Sequence, residues 1–279
     1  VSTYPDRGLQ RILAGSANPV LRVTLQDQDG DAADAVGTLT CSISRADGTV
    51  IATDRATSDA TGTGAYECAL TTAEALTLDV LTATWRISSV TRAVTHHRIV
   101  GGFLFSVAEL AQRAGMEQFD VATLRTERDR ISDLIEFYCG AQTPRYDLDE
   151  FEGHGHARHA VWHRPLRSVR ALTIGGGTVS VSELNVNVAA GIVSEVTFLG
   201  WCQLGYEHGL STPDPDLKDA GLTAAADRVL RERSVIGSRT RSMTNDLGVT
   251  QQFSYAGDGH PTGIDEVDAI IMSRSRARI

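Results

Sequence analysis

Apolar residues recur at every second position over the first hundred residues, and that period decides the secondary structure there. Leu21, Val23 and Leu25 alternate with polar neighbours, as do Leu39, Cys41 and Ile43, then Tyr66, Cys68 and Leu70, then Trp85 and Ile87. A period of two over short runs means strands with one face buried. Turn chemistry punctuates them at Asp29-Gly30, Asp47-Gly48 and Gly62-Thr63-Gly64. Strands this short at this spacing predict a small all-β sandwich over residues 1–103. Asp27, Asp29 and Asp31 imitate a calcium loop, but the glycine among them comes too early and no distal Glu follows. They are read as an acidic hairpin turn.

The period then changes. Ser106 with Glu109 three residues on is a capping box opening the helix SVAELAQRAG, which Gly115 closes. A second helix is predicted over about 121–139, with Val121, Leu124, Ile131, Leu134, Ile135 and Tyr138 on one stripe. Arg128 shares that stripe. Glu127, Asp129, Arg130 and Asp133 form a polar face expected to stay wet. From 144 to about 208 the pattern is β again, with Gly175-Gly176-Gly177 read as a hairpin turn. A third helix starts near Asp214–Asp216, with Pro213 and Pro215 at its first turn, acids at its N-terminal end and a small packed face of Ala220, Gly221, Ala224 and Ala225. A polar stretch over 237–246, a strand around 248–255 and a short helix over 265–272 come next, and the chain ends in the basic tail SRSRARI.

Composition excludes several classes. The chain of 279 residues is 42% hydrophobic, enough for a proper core. No apolar run reaches the length of a membrane span, and the first residues lack the basic-then-apolar layout of a secretory signal. A net charge of -9 argues against a protein that grips DNA through its phosphates. No Walker A, GxSxG, GxGxxG or HExxH motif occurs. His154, His156, His159 and His163 cluster beside Glu150 and Glu152 but do not form a complete ligand set, and the region reads as an exposed polar loop or hairpin. Asp147, Asp149 and Glu150 read as a solvated turn. The expectation is no enzyme, no metal and no cofactor. Cys41 and Cys68 fall in strands of the same region, where a disulfide and a reduced core pair are both open readings.

Two resemblances add to this. The stretch GTGAYECAL followed by TATWRI resembles late strands of immunoglobulin-like domains in phage structural proteins. The order of helix, long amphipathic helix, strands, Tyr206-Glu207-His208-Gly209, the proline-led segment PDPDLKDA and a last helix after HPTGIDEVDAII is similar to the head–tail connector, or adaptor, proteins of long-tailed bacteriophages. This likeness covers about 104–279. It implies two domains: an immunoglobulin-like β-sandwich over 1–103, and an α+β, mainly helical adaptor domain over 104–279. It further implies a virion protein of the neck, assembled in the host cytoplasm. Twelve copies would form a ring beneath the portal, extending the channel through which double-stranded DNA passes without specific binding. The sandwich would sit on the outside of the ring. Partners would be further copies of the chain, the portal protein and a stopper or tail-completion protein, with no membrane involved. Arg274, Arg276, Arg278 and Ile279 are candidates for portal binding by analogy with family C-terminal arms. Arg128, Glu127, Arg130 and Asp133 are candidates for the inter-subunit contact, with an intrachain salt bridge as the other reading of Arg128. The alternatives are another neck component, or a surface-binding module that uses the sandwich.

Overall fold

The computed structural model describes residues 9–232, 242–244, 250–252 and 261–275. They divide into two compact units, each made from two pieces of chain: Leu9–Gly102 with Thr143–Gly209, and Phe103–Gln142 with Leu210 onward.

The first unit opens with eight strands: β1 (Gln10–Leu13), β2 (Val20–Thr24), β3 (Leu39–Arg45), β4 (Val50–Ala56), β5 (Ser58–Asp59), β6 (Ala65–Ala69), β7 (Asp79–Ile87) and β8 (Val90–Val100). One sheet has the order β1-β8-β7-β3-β4 and the other β2-β6-β5. β1 runs parallel to β8 and the remaining pairs are antiparallel. The faces marked by the alternation meet in one core, with Leu21, Tyr66 and Cys68 of the smaller sheet against Cys41, Ile43 and Trp85 of the larger. Trp85 is fully buried, and its indole N–H donates to Thr95 Oγ1 at 2.9 Å, so the largest core residue leaves no orphan donor. The acidic run is a turn, as expected: the Asp27 carboxylate accepts from the Asp29 and Asp31 amides at 2.9 and 3.0 Å.

The same unit continues with β9 (Arg145–Ala160), β10 (Leu166–Ile174), β11 (Gly177–Val179), β12 (Asn185–Asn187) and β13 (Ile192–His208). All pair antiparallel, with β13 at the centre against β9, β10 and β12. Gly175 and Gly176 turn β10 into β11 with φ of 57° and 83°, a pair of left-handed residues that suits a tight hairpin. Leu172, Phe198, Cys202, Leu204 and Tyr206 bury one face of this sheet.

This sheet overturns the expectation of a mainly helical second domain. Among the described residues, strands hold 42% and helices 23%. β9 and β13 alone run 16 and 17 residues. Register shifts between Ser194 and Leu199 carry the pairing past points where the alternation slips, so one long strand looks like several short ones in the sequence. Two further expectations fail with it. Of the two readings of the His154–His163 stretch, loop or hairpin, the loop fails, because residues through Ala160 belong to β9, which pairs antiparallel with β13. Asp147 and Asp149 are not a solvated turn, because both are fully buried on β9.

The second unit is built from α1 (Val107–Ala111), α2 (Val121–Cys139), α3 (Pro215–Glu232) and α4 (Asp265–Arg274), with a small antiparallel pair, β14 (Ser242–Thr244) and β15 (Thr250–Gln252). Ser106 and Glu109 form the expected reciprocal cap on α1, which is shorter than its apolar pattern suggested. Asp120 caps α2 by accepting from the Thr123 amide at 2.7 Å, and Gly140 ends it at φ 81°. Leu104, Phe105, Leu110, Ile131, Ile135, Leu217, Val267 and Ile271 share one core. A Cβ on Gly221 of α3 would lie 3.0 Å from both Leu104 and Phe105 side chains and 3.1 Å from Ile135. The small face of α3 is therefore what lets these elements close up. The polar face of α2 does not stay wet: Glu127 and Asp133 are buried, and only Arg130 of the four named residues is exposed. Glu127 buries its charge because Arg228 of α3 reaches it at 2.9 Å.

Candidate assembly surfaces and a buried ion cluster

In the helical unit, ion pairs tie together segments far apart in sequence. Glu109 accepts from the Ser106 amide at 2.7 Å and pairs with Lys218, the only lysine of the chain, at 2.5 Å. Lys218 and then the Ser106 amide hold the Glu109 carboxyl down to about 2. Arg113 pairs with Asp219 alongside. The buried Asp268 carboxylate accepts from Thr262 N at 2.8 Å, Thr262 Oγ1 at 2.6 Å and Gly263 N at 3.1 Å, fixing the loop that enters α4. At the far end of α4, Arg274 donates to Asp216 Oδ2 at 2.7 Å and stands 3.7 Å from Asp214. Of the portal-binding candidates, Arg274 is thus exposed and tied to the first turn of α3. Arg276, Arg278 and Ile279 lie outside the described residues, as does the larger part of the polar stretch over 237–246. Of the inter-subunit candidates, Arg128 pairs within the chain with Asp129 at 2.7 Å and lies 3.5 Å over the Phe103 ring. Glu127 is engaged by Arg228, Asp133 is buried and Arg130 faces solvent.

In the β-rich unit, charged residues converge where no motif announced them. Arg145, Asp147 and Asp149 stand at alternate positions of β9, so they share one face. Opposite them on β13, His208 pairs in register with Arg145 and Tyr206 with Asp147. Asp147 Oδ1 accepts from Arg98 of β8 at 3.1 Å, which links the sandwich to the second sheet. Its Oδ2 lies 2.7 Å from His208 Nε2, 3.7 Å from Arg145 Nε and 3.9 Å from His163 Nε2. Burial opposes the charge on Asp147, but Arg98, His208 and Arg145 outweigh it and hold the carboxyl far below its ordinary range. Burial pushes His208 down to about 3, so the ring is neutral. The 2.7 Å contact to a carboxylate puts its one proton on Nε2. The 3.2 Å approach of Arg145 Nε to the same nitrogen is then a packing contact, with the arginine serving Asp147 electrostatically. Asp149 accepts from the Trp162 amide at 3.1 Å, and burial pushes it up to about 6. Tyr206 Oη accepts from the His163 amide at 3.1 Å.

Asp147, His163 and His208 bring three donor atoms within 4.8 Å of one another, the one such group among the described residues. They do not fit a metal ion. Arg145 Nε is 3.2 Å from one donor and 3.7 Å from another, so its guanidinium already occupies that seat. Arg98 holds the other carboxylate oxygen, and a dication would face two fixed positive charges in a low dielectric. The four histidines named from the sequence scatter instead. His154 and His156 are exposed, His159 stacks on Phe151 at 3.7 Å, and only His163 joins the cluster. Sequence reasoning missed the Arg98–Asp147–His208–Arg145 set. The available signal was the alternation of charged with apolar residues in RYDLD, a strand pattern whose charged face cannot be told from a solvated one without its partner strand.

No helix of the described residues is long and apolar enough to cross a membrane. No protein-family model matches the chain, and no curated protein matches it either.

Proposed function

We propose that the chain is a virion structural protein: a head–tail adaptor of a long-tailed phage, whose copies close into a ring beneath the portal and lengthen the DNA channel. One observation carries the reading. The segments on which the resemblance rests lie far apart in sequence, yet the helical unit is assembled from most of them. Lys218 of PDPDLKDA meets Glu109 of the first helix, Leu217 shares a core with Val267 and Ile271 of the last, and Arg274 returns to Asp216. Strands β9–β13 enter the chain between α2 and α3 without adding to that core. The Tyr206-Glu207-His208-Gly209 piece is the exception, since it ends β13 and buries Tyr206 and His208.

Charge supports the reading as well. A channel wall that bound DNA tightly would stall its passage, and a subunit of net charge -9 repels the phosphates. The Asp147–His208 pair resembles a catalytic dyad, but both side chains are wholly inaccessible, which suits a structural clasp. A closed ring needs two different complementary patches on each copy, and the helical unit carries exposed charged residues such as Glu117 and Glu266.

The test is an image of a particle containing the chain, together with co-purification on the portal protein. A ring matching the portal's symmetry at the neck is expected. A position lower in the neck would make it a stopper or tail-completion protein, and a position on the capsid or tail surface would overturn the adaptor reading.

A further inference from the structure

We propose that Cys41 and Cys68 are a disulfide site that oxidation closes across the two sheets of the sandwich. Cys41 lies on β3 of the larger sheet, opposite Arg55 of β4 and Trp85 of β7. Cys68 lies on β6 of the smaller sheet, opposite Leu21 of β2. Both are wholly inaccessible and belong to the same core. Arg55 gives a second, independent reason to place them together. Its backbone pairs with Cys41, while its guanidinium donates at 2.9 Å to the carbonyl of Ala69, the residue after Cys68. The side chain therefore spans from one sheet to the other.

The two thiols perturb each other: their mutual side-chain contact comes first among the causes that push Cys41 up and Cys68 down. That contact and the nearby Arg55 charge favour the Cys68 thiolate against its burial. Both cysteines are free in the structure. The remaining pair offers no competing partner in this core, because Cys139 belongs to the helical core and Cys202 to the second sheet.

The chemistry balances with a peroxide as oxidant. The Cys68 thiolate attacks one peroxide oxygen, the O–O bond breaks, and hydroxide leaves a sulfenic acid behind. The Cys41 sulfur then attacks the Cys68 sulfur, the S–O bond breaks, and the released hydroxyl departs as water with the Cys41 proton. Two thiols lose one electron each, and the peroxide is reduced to water. A small oxidant suits a pair that opens only on local fluctuation. The product closes a loop that runs through β4 and β5, and it ties two sheets that otherwise meet through side-chain packing.

The full-length chain is treated with hydrogen peroxide, denatured in an alkylating agent and mapped by peptide mass. Two of the four thiols should disappear, return on reduction, and be found as one cross-link between the β3 and β6 peptides. The oxidised chain should also melt several degrees above the reduced one. Four alkylated thiols, sulfinic acids in place of a cross-link, or a cross-link through Cys139 or Cys202 would overturn the site. A melting temperature that is unchanged or lower would overturn its role as a staple. Cys68→Ala should keep all its remaining thiols under peroxide, and Cys41→Ala should form no cross-link, its Cys68 being trapped as a sulfenic acid instead. The mapping of the parent chain decides the matter even if either variant fails to fold.

Discussion

Asp147 is wholly buried, so its charge depends on the groups that touch it. Arg98, His208 and Arg145 balance it. Asp147→Asn would leave two buried guanidiniums short of their counter-charge, a loss of roughly 3–5 kcal/mol. The urea midpoint of the β-rich unit should fall accordingly, and a variant as stable as the parent would show that the cluster contributes nothing. Acid stress acts on neighbouring residues. Burial pushes His97 and His208 from 6.5 down to about 3. The unfolded chain takes up these protons below pH 6.5 and the folded chain does not, so this stability is present above pH 6.5 and is lost as pH falls toward 3. Each histidine costs about 2 kcal/mol by pH 5. Asp149 works the other way, because its carboxyl is pushed up to about 6 and the folded form takes its proton first. It returns only about 1 kcal/mol between pH 6 and 5, so the histidines win and stability falls. His97→Gln should shrink the loss between pH 7 and pH 5 by about 2 kcal/mol, measured by chemical unfolding at both. An undiminished loss would assign the acid sensitivity to other groups.

At the scale of elements, Gly221 sets two effects against each other. Alanine is a better helix former by about 1 kcal/mol. Its methyl, however, would press on Leu104 and Phe105 at 3.0 Å and on Ile135 at 3.1 Å, and overpacking costs about 1–3 kcal/mol. Three neighbours cannot all yield inside one core, so Gly221→Ala should destabilise the helical unit, seen as a lower melting temperature in helical circular dichroism. A higher one would mean that the core has slack. The small face of α3 was legible from the sequence because Ala220, Gly221, Ala224 and Ala225 recur at helical spacing. The cap of α1 was legible because Ser106 and Glu109 satisfy each other locally. The sandwich strands were legible because one of their faces is buried and the other is not. What was not legible depends on partners distant in sequence. Whether Asp147 is solvated is decided by Arg98, 49 residues away. Whether Glu127 is wet is decided by Arg228 on another helix. The length of β13 was hidden by bulges that break its period.

For the whole molecule, the question is what the C-terminal end does. Arg274 closes α4 with its charge turned back on Asp216 and Asp214, so the last described helical residue is engaged within its own unit. On the proposed adaptor role, Arg276, Arg278 and Ile279 are the docking candidates that lie beyond this tie. Two truncations separate the roles. Ending the chain after Arg274 keeps the pair with Asp216 and removes those three residues. It should leave the melting profile and any self-assembly unchanged, yet fail to enter portal-containing particles. Ending it after Met272 removes Arg274 too, and should fail in the same way with some fraying of α4 besides. Residual docking of the parent chain should weaken with salt, since screening acts on exposed charge pairs. If the longer chain enters particles normally and the shorter one does not, the tie from α4 to α3 matters and the tail plays no part in docking. If both enter normally, the proposed docking uses another surface, and exposed residues such as Arg130 become the next to substitute.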